Sequence, residues 1–285
     1  KNQKLLDDPP YFCAHHVGGR GGRVDFPGLP KNFESEMVSV IYDADEECTD
    51  HIEERWNNKK VIVKPYCLSN ENGFTKLNVN HDPYSSSLYK LNPEYGNYYH
   101  VGPDKQTDYL NSGAMRTLKS IDIETKKLDS LVEDKMVPSP DFLSISCAGA
   151  ELLILKGSDH CLTNNIVAVS ARVHFAEVRN KGPLFGELDE FMRKHNFMLV
   201  NIAPRYVGYN RIAKNCRGAG IPLSGDTLYL YRPDKVDGKT NLQIVLKLEK
   251  LALASLTYGY TEVAFEAIER SLKIDKSIRK KNSYQ

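Results

Sequence analysis

The 285-residue chain is 41% hydrophobic and 26% charged, enough apolar content to bury one large core or two modest ones, which excludes a disordered or fibrous protein. Thirty-eight Lys and Arg against thirty-seven Asp and Glu leave a formal charge of +1, too balanced for the phosphate-neutralising surface that nucleic-acid affinity needs, so no nucleic-acid partner is expected. No apolar run approaches the roughly 18–20 residues of a spanning helix, and Lys1–Pro10 is polar with no signal-peptide core, so the chain is expected to be cytoplasmic with no membrane span.

Taken in chain order, short apolar runs rich in β-branched and aromatic residues predict buried strands at 11–17, 37–42, 61–66, 142–147, 166–175, 197–203 and 227–231. Helical spacing predicts helices over 46–56, from Ala150 through Leu155 toward Cys161, and over 184–195. Strands alternating with helices indicate βαβ units and a mainly parallel sheet, hence an α/β sandwich. Phe74–Asn80 reads as an extra strand that pairs locally after the Asn70–Gly73 turn. The Tyr, Asn, Ser, Gly and Pro content of 85–113 makes that irregular stretch the candidate lid. Beyond Pro233 two amphipathic segments, Leu242–Tyr258 and Thr261–Leu272, flank Gly259 and predict a helical hairpin that either covers the sheet or mediates a homodimer. The expected organisation is thus a domain over 1–233 and a C-terminal helical extension over 234–285.

The six cysteines are scattered without C-x-x-C pairs, which argues against a zinc site or a disulfide framework and for reduced thiols behaving as small hydrophobes. No carboxylate pair stands where a hard cation would want oxygen ligands, so no metal is expected.

Chemistry first shows after strand one. The turn Val17-Gly18-Gly19-Arg20-Gly21-Gly22 is followed about twenty residues later by a strand ending in Asp43-Ala44-Asp45. Glycines let backbone approach a ligand closely, and a carboxylate ending the next strand can accept both ribose hydroxyls. Gly18, Gly19, Gly21, Asp43 and, second to it, Asp45 are therefore candidate nucleoside contacts. The pattern does not separate a dinucleotide from S-adenosylmethionine.

The run Asp141-Phe-Leu-Ser-Ile-Ser-Cys-Ala-Gly-Ala-Glu-Leu-Leu-Ile-Leu-Lys-Gly157 resembles the signature of the FkbM-type methyltransferases. Ala168–Phe175, Gly182-Pro-Leu-Phe185, Asp43–Cys48, Ser85–Tyr89 and Lys127-Leu-Asp129 follow the same family in order. The resemblance spans roughly residues 11 to 232. It implies a class I methyltransferase Rossmann-like sandwich, a seven-stranded, mostly parallel sheet with its last strand antiparallel, here with the C-terminal helical hairpin added. It also implies S-adenosyl-L-methionine as cofactor and O-methylation of a sugar, glycan or polyketide-like acceptor. Carried over by position, Gly18, Gly19 and Gly21 line the methionine and ribose end, and Asp43 holds the ribose. Cys67, Leu68 and Ser69 lie beside adenine, and Ser146 faces the reacting methyl.

Several acidic positions of the family pattern are neutral or basic here. Ser146 stands where the signature strand usually ends in Asp, Ala148 where Gln follows, Arg172 and His174 where the fifth strand carries glutamates, and His15-His16-Val17 where the first strand brings an Asp. A hydroxyl acceptor needs a base, and His174 is the first candidate because imidazole titrates near about 6.5; His16 and His15 follow. Arg172 shares the His174 face and suits an anionic acceptor such as a phosphorylated or uronic sugar. Ser86 and Ser87 are candidates for substrate hydroxyls. Tyr89, with Tyr84, Tyr95, Tyr98 and Tyr99, is a candidate platform for a sugar ring. Glu151 opens a helix, where capping and catalysis compete. The same departures leave open a catalytically impaired fold that binds a glycan or a partner. A nicotinamide oxidoreductase shares the glycine turn but not the signature run.

Overall fold

The computed structural model describes residues 11–20, 26–27, 36–45, 49, 51–52, 60–92, 94, 99–100, 115–209 and 220–274. The 46–56 helix falls mostly outside these residues, as do Gly21, Tyr95, Tyr98, most of the candidate lid, Cys48 and Cys216.

The central sheet starts from β1 (Phe12–Val17), buried at all six positions, as a strand flanked by parallel neighbours and covered on both faces must be. It pairs in parallel with β2 (Met37–Tyr42) on one side and with β8 (Phe142–Ile145) on the other. β3 (Val61–Lys64) lies outside β2, and β9 (Ala168–His174) lies outside β8, both parallel. β11 (Ile221–Tyr231) then inserts antiparallel between β9 and β10 (Phe197–Tyr209). The order is β3-β2-β1-β8-β9-β11-β10, with the two-residue β6 (Tyr99–His100) as an eighth strand at the edge. The architecture is the class I methyltransferase-like α/β fold, with the last strand antiparallel. β10 and β11 extend well past the apolar stretches 197–203 and 227–231. There they continue as an antiparallel pair, residues 205–207 against 221–224.

Three helices follow the crossovers. α2 (Glu151–Lys156) and α3 (Asp159–Asn164) lie between β8 and β9, and α4 (Phe185–Lys194) between β9 and β10. The single helix expected from Ala150 toward Cys161 is divided at Gly157. A Cβ there would stand 2.0 Å from the Ser69 carbonyl oxygen, so only glycine allows the chain to pass this close to the turn at Ser69. Asp129, in α1 (Leu128–Glu133), accepts the His160 and Cys161 amides at the head of α3.

Local pairing for 74–80 is confined to the antiparallel bridge between Asn78 and Ser87, and the main partner lies elsewhere. β5 (Gly73–Asn80) pairs antiparallel with the distant β7 (Thr117–Lys126), and β4 (Cys67–Leu68) flanks β7 in parallel. β7 is exposed along most of its length, so its sequence lacks the apolar content that marks a buried strand.

The C-terminal hairpin is present as α5 (Asn241–Thr257) and α6 (Thr261–Ile274). Thr240 and Gln243 form a reciprocal capping box at its start, and Gly259 takes φ +83° after the α5 C-cap. Leu248, Leu251, Ala254, Ala264 and Ala267 belong to the same buried cluster as the sheet. Tyr258 closes on Phe26 and Phe142, ring centroids 5.9 and 6.0 Å away. Lys250 reaches Asp141 at 2.8 Å, and the other oxygen of Asp141 accepts the Cys13 amide. The hairpin thereby ties down the entry of β1 and β8. Among the described residues no helix is long and apolar enough to cross a membrane.

Candidate functional site

The carboxyl ends of β1, β2 and β8 converge. Gly18 turns the chain at φ +83°, a conformation that disfavours any Cβ, and the Gly18 and Gly19 amides both donate to the Tyr42 carbonyl at 3.1 and 3.0 Å. A Cβ on Gly18 would stand 2.3 Å from the Ser146 carbonyl oxygen, and one on Gly19 2.2 Å from Ile41 Cγ2. Only bare backbone fits between the three strand ends. Ser146 closes the group, its amide donating to Val17 at 3.0 Å.

Asp43 ends β2, and its Oδ1 accepts the Asp45 amide at 3.0 Å. Burial raises its carboxyl above the ordinary range, against the pull of the Asp45 amide and the Arg20 charge. Asp45 is held by Arg20 at 2.9 Å, whereas Asp43 has no ion pair among the described residues. Cys67 and Leu68 form β4 beside β7, and the Ser69 amide donates to the Lys126 carbonyl at 3.0 Å. Leu68 is a core residue. Burial, followed by the Asp43 charge, pushes the Cys67 thiol up to about 11.

The turn from β8 into α2 uses Ala148 and Gly149 at φ +50° and +107°. Glu151 stabilises it from within. One oxygen accepts the Cys147 amide at 2.9 Å and the other the Gly149 amide at 2.8 Å. Glu151 is buried, and burial raises its carboxyl against those amides and Arg172. Of the capping and catalytic roles, its geometry serves capping. Ser87 donates to the Ala148 carbonyl at 2.8 Å and accepts the Tyr89 amide at 3.0 Å, and Ser86 accepts the Asn80 amide at 3.1 Å. The serine run thus fastens the 85–89 loop to β5 and to the Ala148 turn. Burial first, then Glu187 and Glu151, raises the Tyr89 hydroxyl.

At the end of β9 a narrow, partly open depression is bounded by Glu151, Arg172, His174, Pro183, Leu184 and Leu188. A second such depression lies against His174 beside Gly149, Arg179 and Gly182. Arg172 Nε donates to Asp226 at 3.1 Å, and Arg205 Nη2 donates to its other oxygen at 2.8 Å. Burial works to raise the Asp226 carboxyl, but the two guanidiniums outweigh it and hold it below the ordinary range. Burial, then repulsion from Arg179 and Arg172, lowers His174 to about 4.

His16 lines neither cleft. It is 2% exposed, with its ring 6.1 Å from Phe142. His15 is fully buried with Nδ1 3.0 Å from the Tyr42 hydroxyl, and burial, then His16, lowers it to about 3. Both are core residues of β1. Arg179 and Asp226 were not among the sequence-derived candidates. Asp226 stands opposite Arg172 in the β9–β11 register, a pairing visible only once the strands are aligned. Among the described residues no group of three or more His, Cys, Asp or Glu is arranged to hold a metal ion.

Among solved structures, the chain is similar to a precorrin-6y C5,15-methyltransferase from Geobacter metallireducens GS-15, at 10% identity over 81% of this chain and 85% of that one, with a TM-score of 0.39. A methyltransferase FkbM from Methylobacillus flagellatus KT gives 12% identity, 81% and 50% coverage, and a TM-score of 0.39. A TehB-like SAM-dependent methyltransferase from Corynebacterium glutamicum gives 9%, 81% and 86%, and 0.33. No curated protein matches the chain significantly. The sequence itself carries the assignment, because residues 11–199, more than half of the chain, match the family described as Methyltransferase FkbM domain. The chain therefore belongs to the FkbM methyltransferase domain family and is an S-adenosyl-L-methionine-dependent methyltransferase.

Proposed function

We propose that the protein is an O-methyltransferase acting on a hydroxyl of a sugar, glycan or polyketide-like metabolite, with its donor site at the ends of β1, β2 and β8 and its acceptor site at the end of β9. The observation that carries this reading is the cleft at His174. Its wall includes Glu151, whose carboxylate holds the same turn that packs Ser146 against Gly18, so donor and acceptor sites would share one wall.

The residues present suit the donor. Gly18 and Gly19 offer side-chain-free backbone, and Asp43 offers a carboxylate at the end of β2. Cys67, Leu68 and Ser69 border the same strand ends on the adenine side. When bound, S-adenosylmethionine supplies a methyl group on a positively charged sulfur. The protein's own part is alignment and proton removal. His174 would accept the acceptor hydroxyl's proton at a ring nitrogen. Held near 4, it is neutral at physiological pH and therefore available, though a weak base. Arg172, Tyr89, Ser86 and Ser87 would border the acceptor, the serines by fixing the loop. A cytoplasmic site of action is supported by free cysteines at 13, 67, 147 and 161.

Isothermal titration with S-adenosylhomocysteine tests the donor site. Saturable binding that weakens at least about tenfold in Asp43→Ala is expected, since two charged hydrogen bonds are lost. No heat at millimolar ligand would sink the reading.

A further inference from the structure

An ion pair links the turn after β1 to the end of β2, where Asp43 stands. Arg20 Nη2 lies 2.9 Å from Asp45 Oδ2, with the two side chains 25% and 37% exposed. The Arg20 guanidinium carbon is also 5.8 Å from the centroid of the Tyr84 ring, which sits in a short turn capped by Asp82 through the Tyr84 amide. The backbone below is fixed. The Gly18 and Gly19 amides donate to the carbonyl of Tyr42, next to Asp43, and the Asp43 amide donates to the Lys64 carbonyl at 3.3 Å. A partly exposed pair adds little to stability, so its value lies in what it does to its neighbour. Burial works against the Asp43 carboxylate, and the charges acting on it are Arg20, which favours the ionised form, and Asp45, which opposes it. Cys67 on β4 and Cys147 after β8 face it as thiols that burial keeps protonated. On β3 the Lys64 ammonium lies 6.0 Å from the Tyr66 ring centroid.

Resting on the donor-site reading above, we infer that Arg20 and Asp45 form one positioning unit, whose ion pair holds the Asp43 carboxylate as the acceptor for the ribose hydroxyls while neither of the two side chains is itself a ligand. Asp45, the second candidate for the nucleoside, thereby becomes the partner of Arg20. Its amide is donated to Asp43 Oδ1, and its carboxylate is drawn to Arg20. Without Arg20, two carboxylates two residues apart would stand uncompensated, and like-charge repulsion would add to burial in favouring a protonated Asp43. A protonated Asp43 offers one fewer charged acceptor to the ribose.

The test titrates the full chain and its variants with S-adenosylhomocysteine from about pH 8 down to about pH 5. Binding uses the Asp43 carboxylate, so affinity is lost as pH falls through its titration. Arg20→Gln removes the charge that favours ionisation, so this loss should begin at higher pH than in the parent. Arg20→Lys keeps the charge and should stay nearer the parent profile. At about pH 8, Arg20→Gln and Asp45→Asn should each weaken binding roughly threefold, less than Asp43→Ala. The double variant should be no worse than the weaker-binding single, because both changes break one pair. Denaturant midpoints should stay close to the parent value. Three results would overturn the inference: an unmoved pH profile in Arg20→Gln, additive losses in the double variant, or a loss in Asp45→Asn as large as in Asp43→Ala, which would make Asp45 a ligand. The two readings fail separately. A parent chain that binds no S-adenosylhomocysteine fails the donor site itself, whereas binding that needs Asp43 and ignores Arg20 fails the positioning unit alone.

Discussion

At Gly18 a positive φ and a backbone contact coincide, and each alone would restrict the position. A Cβ would be strained at φ +83° and would meet the Ser146 carbonyl, which belongs to a strand end rather than to a flexible side chain. Gly18→Ala should therefore cost about 3 kcal/mol of stability, read as a lowered denaturant midpoint; an unchanged midpoint would show that the turn relaxes freely. His174 gives the pH dependence. A base must be neutral to act, so activity is lost as pH falls through its pKa. With the free enzyme's value near 4, kcat/KM should hold down to roughly pH 5 and fall below it; an acid limb near the ordinary histidine value would contradict the buried, cation-flanked setting. His174→Gln should lower kcat about a hundredfold. At this scale the turn at Gly18 after β1 and the acidic end of β2 were legible as local features because short-range spacing encodes them. His16 was misplaced among bases because a histidine inside an apolar strand reads alike whether it faces a cleft or the core. The Arg172–Asp226 contact was hidden by its span of 54 residues.

Between elements, the most exposed dependence is the link from α5 to the sheet. Asp141 is 7% exposed at its side chain and sits between Lys250 and the Cys13 amide. Lys250→Ala would leave that carboxylate without its cation, and a loss of about 2 kcal/mol is expected. Adding Asp141→Asn should return part of it by removing the uncompensated charge. A double variant less stable than the sum of the two singles would contradict this account. The seven central strands could be read from the sequence by their β-branched and aromatic runs, which burial on both faces forces in β1 and β8. β7 could not, since its exposed alternation Ile121-Asp122-Ile123-Glu124 carries too little apolar content. The close approach of Gly157 to Ser69 was also invisible, because it joins distant parts of the chain.

For the whole molecule, the sheet and the C-terminal helices share buried residues, so the site and the hairpin are not energetically separate. Removing residues beyond Pro233 would uncover the face that Leu248, Leu251 and Ala254 now close, and the shortened chain should lose cooperative unfolding; a sharp transition at the parent midpoint would show that the sheet stands without it. The family resemblance was readable across the sheet from its signature run, while the pairing of Arg172 with Asp226 depended on β9 and β11 coming together. The central claim is that one crevice binds the donor at Gly18 and Asp43 and directs it toward His174. A crystal structure with S-adenosylhomocysteine measures this most directly. The account requires both ribose hydroxyls on the Asp43 carboxylate and the sulfur facing the cleft at the end of β9. A nucleoside bound elsewhere, or a crevice closed by side chains, would contradict it.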